Sequence, residues 1–144
     1  MRAGIEIDRP RTEVFAVAAD PLRDTAWRLE LRRIAGRAPA LGAVYAEVTD
    51  VGTGTFAAAT EVTGFDPPRR IVLRLRGGHD FEIRRTFAAL SGARTRLDYE
   101  VLASEETIQA VFGAPIDPAL GRTLIETVMR ANLARLKRLL EAEG

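Results

Sequence analysis

The C-terminal segment predicts one long helix, and that helix limits what the rest of the chain can form. Asp117 suits the N-cap, and Pro118 suits the first helical position, where a missing N–H costs no intrahelical hydrogen bond. The helical pattern then continues for roughly 24 residues, or about 36 Å. A helix of this length must lie across a large apolar surface.

The predicted helix is amphipathic, and a single polar residue interrupts its apolar stripe. At about 100° per residue, one face collects the apolar side chains while arginines mostly flank or oppose it. The stripe contains Ile125, Val128, Met129, Leu133, Leu136, Leu139 and Leu140. Asn132 lies near its centre, where an amide needs a hydrogen-bond partner or water. Asn132 is therefore a candidate site residue.

Length and charge favour a single soluble domain over residues 1–144. The chain is 47% hydrophobic and 28% charged, with a formal net charge of +1. A chain of this size buries about 68–70% of the surface that its unfolded form exposes, which is enough for a core that contains a hollow. Because the net charge is close to zero, we expect no nucleic-acid partner.

Several kinds of chemistry are not expected from this sequence. It has no cysteine and one histidine, so neither a thiolate site nor a multi-histidine metal site is expected. Gly52 and Gly54 lack the further glycine of a dinucleotide fingerprint, and we interpret them as a hairpin turn, so no cofactor is expected. No apolar run is long enough for a membrane span, and the N-terminus does not resemble a secretory signal. We expect a cytoplasmic protein.

The order of the predicted elements is one strand, two short helices, six strands and the long helix. A strand at Gly4–Asp8 precedes helices that begin at Pro10 and Pro21. After Trp27 the period changes to two, and short connectors imply antiparallel hairpins. The six strands are predicted at Leu29–Ile34, Ala43–Val51, Thr55–Phe65, Arg70–Arg76, Asp80–Leu90 and Arg94–Ala103. A connection follows, with a helical turn at Thr107–Val111.

This order fits a curved antiparallel sheet of about seven strands wrapped around the long helix, an α+β helix-grip fold. The chain resembles the START-like (SRPBCC) superfamily, and most of all its small bacterial polyketide cyclase/dehydrase branch. The resemblance covers essentially the whole chain. It is carried by IEIDRPRTEVFAVAADPLRDTAW, EVTGFDPPRRIVLRL, TRLDYEVLA and the last helix. These segments build the scaffold, so the resemblance is more specific for fold than for function.

The resemblance implies a ligand pocket between the sheet and the long helix, lined by alternate strand residues. Phe81, Ile83 and Phe87 share one side of their strand, and Leu97, Tyr99 and Val101 share one side of the next. Arg85 also falls on the Phe81 side, although burying an unpaired charge is costly.

Three polar candidates, Arg85, Tyr99 and Asn132, can be interpreted in two ways. As ligand groups, Arg85 would hold a carboxylate, enolate or phenolate oxygen, Tyr99 would donate a hydrogen bond, and Asn132 would fix a carbonyl. In the alternative, Arg85 reaches solvent or pairs with Glu100 or Asp98, and Asn132 bonds to a strand backbone group.

The remaining candidates have structural alternatives of the same kind. Trp27 contacts the ligand or wedges between its helix and the sheet, and Met129 and Phe56 line the pocket or belong to the core. Phe112 is a lid residue or an anchor for its loop. His79 could do acid–base work at a hairpin tip, but a lone loop histidine is usually solvated.

Three hypotheses about function follow. The first is a protein that binds a small hydrophobic molecule, lipid-like or polyketide-like. The second is an enzyme of the cyclase or aromatase type, in which Arg85 or Tyr99 stabilises or protonates a developing oxyanion. The third is a partner-binding or homodimeric protein with a collapsed pocket. No acid or histidine can be assigned to the pocket, which favours the first hypothesis.

Overall fold

The computed structural model describes residues 1–50, 54–76, 80–113 and 115–142. Seven antiparallel strands form one curved sheet in the order β1-β7-β6-β5-β4-β3-β2. The strands are β1 (Arg2–Ile7), β2 (Leu31–Ala35), β3 (Val44–Asp50), β4 (Thr55–Asp66), β5 (Arg70–Arg76), β6 (Phe81–Ser91) and β7 (Arg94–Leu102). The predicted helix-grip α+β fold is confirmed.

Two short helices follow β1, as expected. The first is α1 (Arg11–Ala18), and the second, Pro21–Ala26, is a 3₁₀ helix rather than an α-helix. Its N-cap is Asp20, whose carboxylate accepts a hydrogen bond from the Leu22 N–H at 3.1 Å. This short helix places Asp24 in the interior of the protein, where the side chain is fully buried.

The connection before the last helix contains a longer helix than the predicted single turn. It is α2 (Glu105–Phe112), which begins at the Ser104 N-cap. It ends at Gly113, which has a left-handed φ of 68° that suits glycine. A β-carbon on Gly121 would lie 2.7 Å from Ile108 Cγ2, so glycine permits the close approach of the last helix to α2.

The last helix, α3 (Pro118–Ala142), lies against the sheet along most of its predicted stripe. Asp117 Oδ1 accepts a hydrogen bond from the Ala119 N–H at 3.0 Å, as an N-cap does. The stripe differs from the prediction at Val128, which is 42% exposed. The side chains of α3 that are fully buried in the core are Met129, Leu133, Leu136 and Leu140.

Candidate functional site

A cavity of about 340 Å³ lies between α3, α2 and the sheet. This volume falls at the lower end of the range for small-molecule sites, about 300–1,000 Å³. Most of its wall is apolar, and it is formed by Phe56, Leu75, Phe81, Ile83, Val101, Val111, Phe112, Leu124, Ile125, Val128 and Met129. Of the apolar residues predicted for the pocket, the wall contains Phe56, Phe81, Ile83, Val101, Phe112 and Met129 but not Phe87, Leu97 or Trp27.

Strand alternation explains how β6 and β7 contribute to the wall. Ile83 pairs with Val101 across the two strands, and Tyr99 lies two residues before Val101 on the same side. Phe87 and Leu97 share the same faces of these strands but belong to the packed core and not to the cavity wall. The cavity therefore occupies only one end of the inner face of the sheet.

The other part of the cavity wall is polar. It consists of Arg28, Glu30, Thr49, Asp50, Tyr99 and Asn132. The Tyr99 hydroxyl makes no hydrogen bond to any described residue. The Thr49 hydroxyl is buried and also has no partner among the described residues. Two hydroxyl groups at the cavity are thus not used by the fold.

Asn132 lines the cavity and also connects α3 to the segment before β2. Its Oδ1 accepts a hydrogen bond from the Leu29 N–H at 3.1 Å, and its Nδ2 donates to Glu30 Oε2 at 2.7 Å. The polar residue in the apolar stripe is therefore explained by partners more than 100 positions away in sequence. Because both ends of the amide are engaged, its first role is to fix Glu30 and the helix relative to each other.

Arg85 lies in the core and not in the cavity wall, so the structure does not support our prediction that it contacts a ligand there. Its guanidinium donates to Asp24 Oδ2 at 2.7 Å, to Asp24 Oδ1 at 3.1 Å and to the Ala18 carbonyl at 3.0 Å. The predicted alternatives, solvent or a pair with Glu100 or Asp98, are also wrong. The alternation correctly placed Arg85 inside, but its partner comes from the 3₁₀ helix.

Trp27 also lies outside the cavity wall, behind Tyr99. Its ring is 6.3 Å from the Tyr99 ring in an edge-to-face arrangement, and the Arg85 guanidinium lies 4.8 Å from the centre of the Trp27 ring. The Arg85 guanidinium is also 5.1 Å from the Tyr99 ring. Trp27 and Arg85 therefore support Tyr99 from the core side.

A buried network of charges surrounds Arg28, and the sequence reasoning missed it. Arg28 donates to Glu30 at 2.9 Å, to Asp24 at 3.1 Å and to Glu47 at 2.9 Å. Glu47 also accepts a hydrogen bond from the Thr60 hydroxyl at 2.6 Å. One signal was present in the sequence, because Glu47 lies between Tyr45 and Thr49 at an inward position of β3.

The charges of this network are stabilised by one another. Burial alone would lower the pKa of Arg85, but the charge of Asp24 raises it above its ordinary value. Burial alone would raise the pKa of Glu30, but the charge of Arg28 and the hydrogen bonds from Asn132 and Arg28 hold it below its usual value. Glu30 is therefore a carboxylate at neutral pH.

Two of the sequence interpretations concern residues outside the described ranges. His79 is outside the described ranges, as are Gly52 and Thr53 of the predicted hairpin. Within those ranges, no group of three or more histidine, aspartate or glutamate side chains could hold a metal ion. None of the helices described is both long and apolar enough to cross a membrane.

Comparison with known proteins identifies the family of this chain and supports the fold described above. The family described as "Polyketide cyclase / dehydrase and lipid transport" matches residues 1–141. The chain belongs to this family. No curated protein matches the chain.

Solved structures of the START and polyketide cyclase superfamily have the same fold. A START superfamily protein from Mycobacterium smegmatis has a TM-score of 0.73 at 16% identity, covering 100% of this chain and 98% of that one. The ZhuI aromatase/cyclase from Streptomyces sp. R1128 has a TM-score of 0.63 at 19% identity, covering 99% and 91%. The di-domain aromatase/cyclase BexL, from the BE-7585A biosynthetic pathway, has a TM-score of 0.67 at 21% identity over 95% of this chain. This chain spans 48% of BexL, about half its length.

Proposed function

We propose that this protein binds a small, largely apolar molecule in the cavity between α3 and the sheet. The observation that carries the proposal is the cavity itself, which has an apolar wall and a cluster of polar groups in one part. Apolar area removed from water contributes roughly 25 cal/mol per Å², and a few polar groups orient the ligand. The lipid-transport part of the family description supports the same function.

A cyclase or aromatase type of enzyme is the second candidate. The observation that favours it is the Tyr99 hydroxyl, a hydrogen-bond donor at the cavity wall without a partner among the described residues. Arg85 cannot assist Tyr99 at the substrate, because it is fully buried against Asp24. Binding alone needs no group beyond those described, so we place it first.

The third hypothesis required a collapsed pocket, and the structure instead contains an open cavity. A homodimer stays a prediction, as does a cytoplasmic location. A homodimer would be compatible with ligand binding in each copy.

Native mass spectrometry of the purified protein, followed by denaturing extraction, tests the proposed function. We expect an apolar molecule to be released from the protein on denaturation, or the neutral dye N-phenyl-1-naphthylamine to bind one per chain when it is added. A protein that is purified empty and does not take up the dye would contradict the proposal. The same spectrum gives the mass of the assembly and so tests the homodimer.

A further inference from the structure

The cation at the cavity wall is paired with three carboxylates of the protein. Among the described residues that line the cavity, Arg28 is the only one with a positive charge. Its Nε, Nη1 and Nη2 atoms donate to Glu30, Asp24 and Glu47, respectively. A ligand carboxylate that approached this guanidinium would therefore meet three carboxylates around one positive charge.

The other charged residues described at the wall are acidic. Glu30 and Asp50 both line the cavity, and Asp50 is paired with the exposed Arg32. The Glu30 side chain is 23% exposed, and each of its oxygens accepts one hydrogen bond from the protein. A carboxylate oxygen can accept a second hydrogen bond. Glu30 can therefore accept a hydrogen bond from a ligand hydroxyl, and its negative charge would repel an anionic ligand.

The polar part of the cavity wall also contains two hydroxyl side chains, Tyr99 and Thr49. The Tyr99 hydroxyl forms no hydrogen bond within the described part of the chain, and the Thr49 hydroxyl is buried there without a partner. A hydroxyl can donate one hydrogen bond and accept others, so the Tyr99 hydroxyl at the wall can pair with a ligand hydroxyl. A buried polar group without a partner costs free energy that a ligand can recover.

We propose that the cavity selects an uncharged ligand that carries a hydroxyl group and discriminates against a carboxylate of the same shape. This inference rests on the proposed binding function and names the chemical class of its ligand. The ligand hydroxyl donates to Glu30 and pairs with the Tyr99 hydroxyl, while its apolar body lies between Phe81, Ile83 and Met129. The discrimination arises because an anion loses its water and finds, among the described residues of the wall, no cation that is not already paired with carboxylates.

Calorimetric titration with three compounds of nearly one shape tests this inference. The probes are 1-naphthol, 1-naphthoate, which is ionised at neutral pH, and naphthalene, which carries no polar group. We expect 1-naphthol to bind at least about tenfold more tightly than 1-naphthoate, with Glu30→Gln narrowing that difference. Equal affinities for naphthol and naphthoate would overturn the inference while the binding function stands. Failure of all three compounds to bind would overturn both.

Two matched tyrosine variants separate a ligand contact from a structural effect. Tyr99→Phe should weaken 1-naphthol binding about three- to tenfold, as expected for one net hydrogen bond, and leave naphthalene binding unchanged. Tyr45→Phe is the control, because the Tyr45 hydroxyl is also without a partner among the described residues but does not line the cavity. An equal response of the two variants to 1-naphthol would contradict the proposed contact.

Discussion

Asp24→Ala should lower the free energy of unfolding by about 3–5 kcal/mol, the range observed when one partner of a buried ion pair is removed. Asp24 and Arg85 are both fully buried, and Asp24 is the carboxylate that Arg85 binds through two nitrogens. The substitution leaves Arg85 without a charged partner and removes one of three from Arg28. Urea unfolding followed by circular dichroism measures the loss.

Two further variants show whether the loss comes from the stranded charge. Arg85→Met should cost less than Asp24→Ala, because Asp24 keeps Arg28 as its partner. Asp66→Ala is the surface control, since Asp66 is exposed and lies 3.9 Å from Arg69, and it should change stability by less than about 0.5 kcal/mol. A cost of Asp24→Ala as small as that of the control would contradict the structural role assigned to this network.

Val101→Phe should weaken binding of N-phenyl-1-naphthylamine by more than about tenfold, because the larger side chain takes the space of the ligand. Val101 is on β7 and lines the cavity. The added ring enters space that the fold leaves empty, so we expect no loss of stability. Fluorescence titration of the dye measures the affinity, and urea unfolding measures the stability.

Val62→Phe is the matched control for this prediction. Val62 is also a buried strand valine, with 1% of its surface exposed, but it belongs to the packed core and does not line the cavity. Overpacking there should cost about 1–3 kcal/mol. If Val101→Phe were destabilising to the same extent and still bound the dye, the cavity would not be the binding site.

Local periodicity predicted most of the fold, because each element has a surface that must be buried. The stripe of α3 and the alternation of β6 and β7 indicated both the elements and the faces that meet. The length of α2 was missed, since its first three residues, Glu105, Glu106 and Thr107, are polar and show no apolar face. The 3₁₀ form of the second helix was missed because a short segment after proline has the same local signals in either helix.

The candidate site was only partly predictable, because its polar groups are paired across the fold. Alternation placed Arg85 inside but could not identify Asp24, which is 61 residues away in sequence, as its partner. Arg28 was missed because its contact with Glu47 depends on how the segment after the 3₁₀ helix lies against β3. Asn132 was identified because a polar residue in an apolar stripe is unusual, whatever its partner.

A ¹³C methyl NMR titration with N-phenyl-1-naphthylamine tests the central claim most directly, since it shows where the ligand binds. Ile83 and Ile125 line the cavity, whereas Ile7 and Ile71 are fully buried elsewhere in the core. We predict saturable shifts for the methyl groups of Ile83 and Ile125 and little change for those of Ile7 and Ile71. No saturable shift, or equal shifts in both pairs, would contradict a ligand-binding cavity between α3 and the sheet.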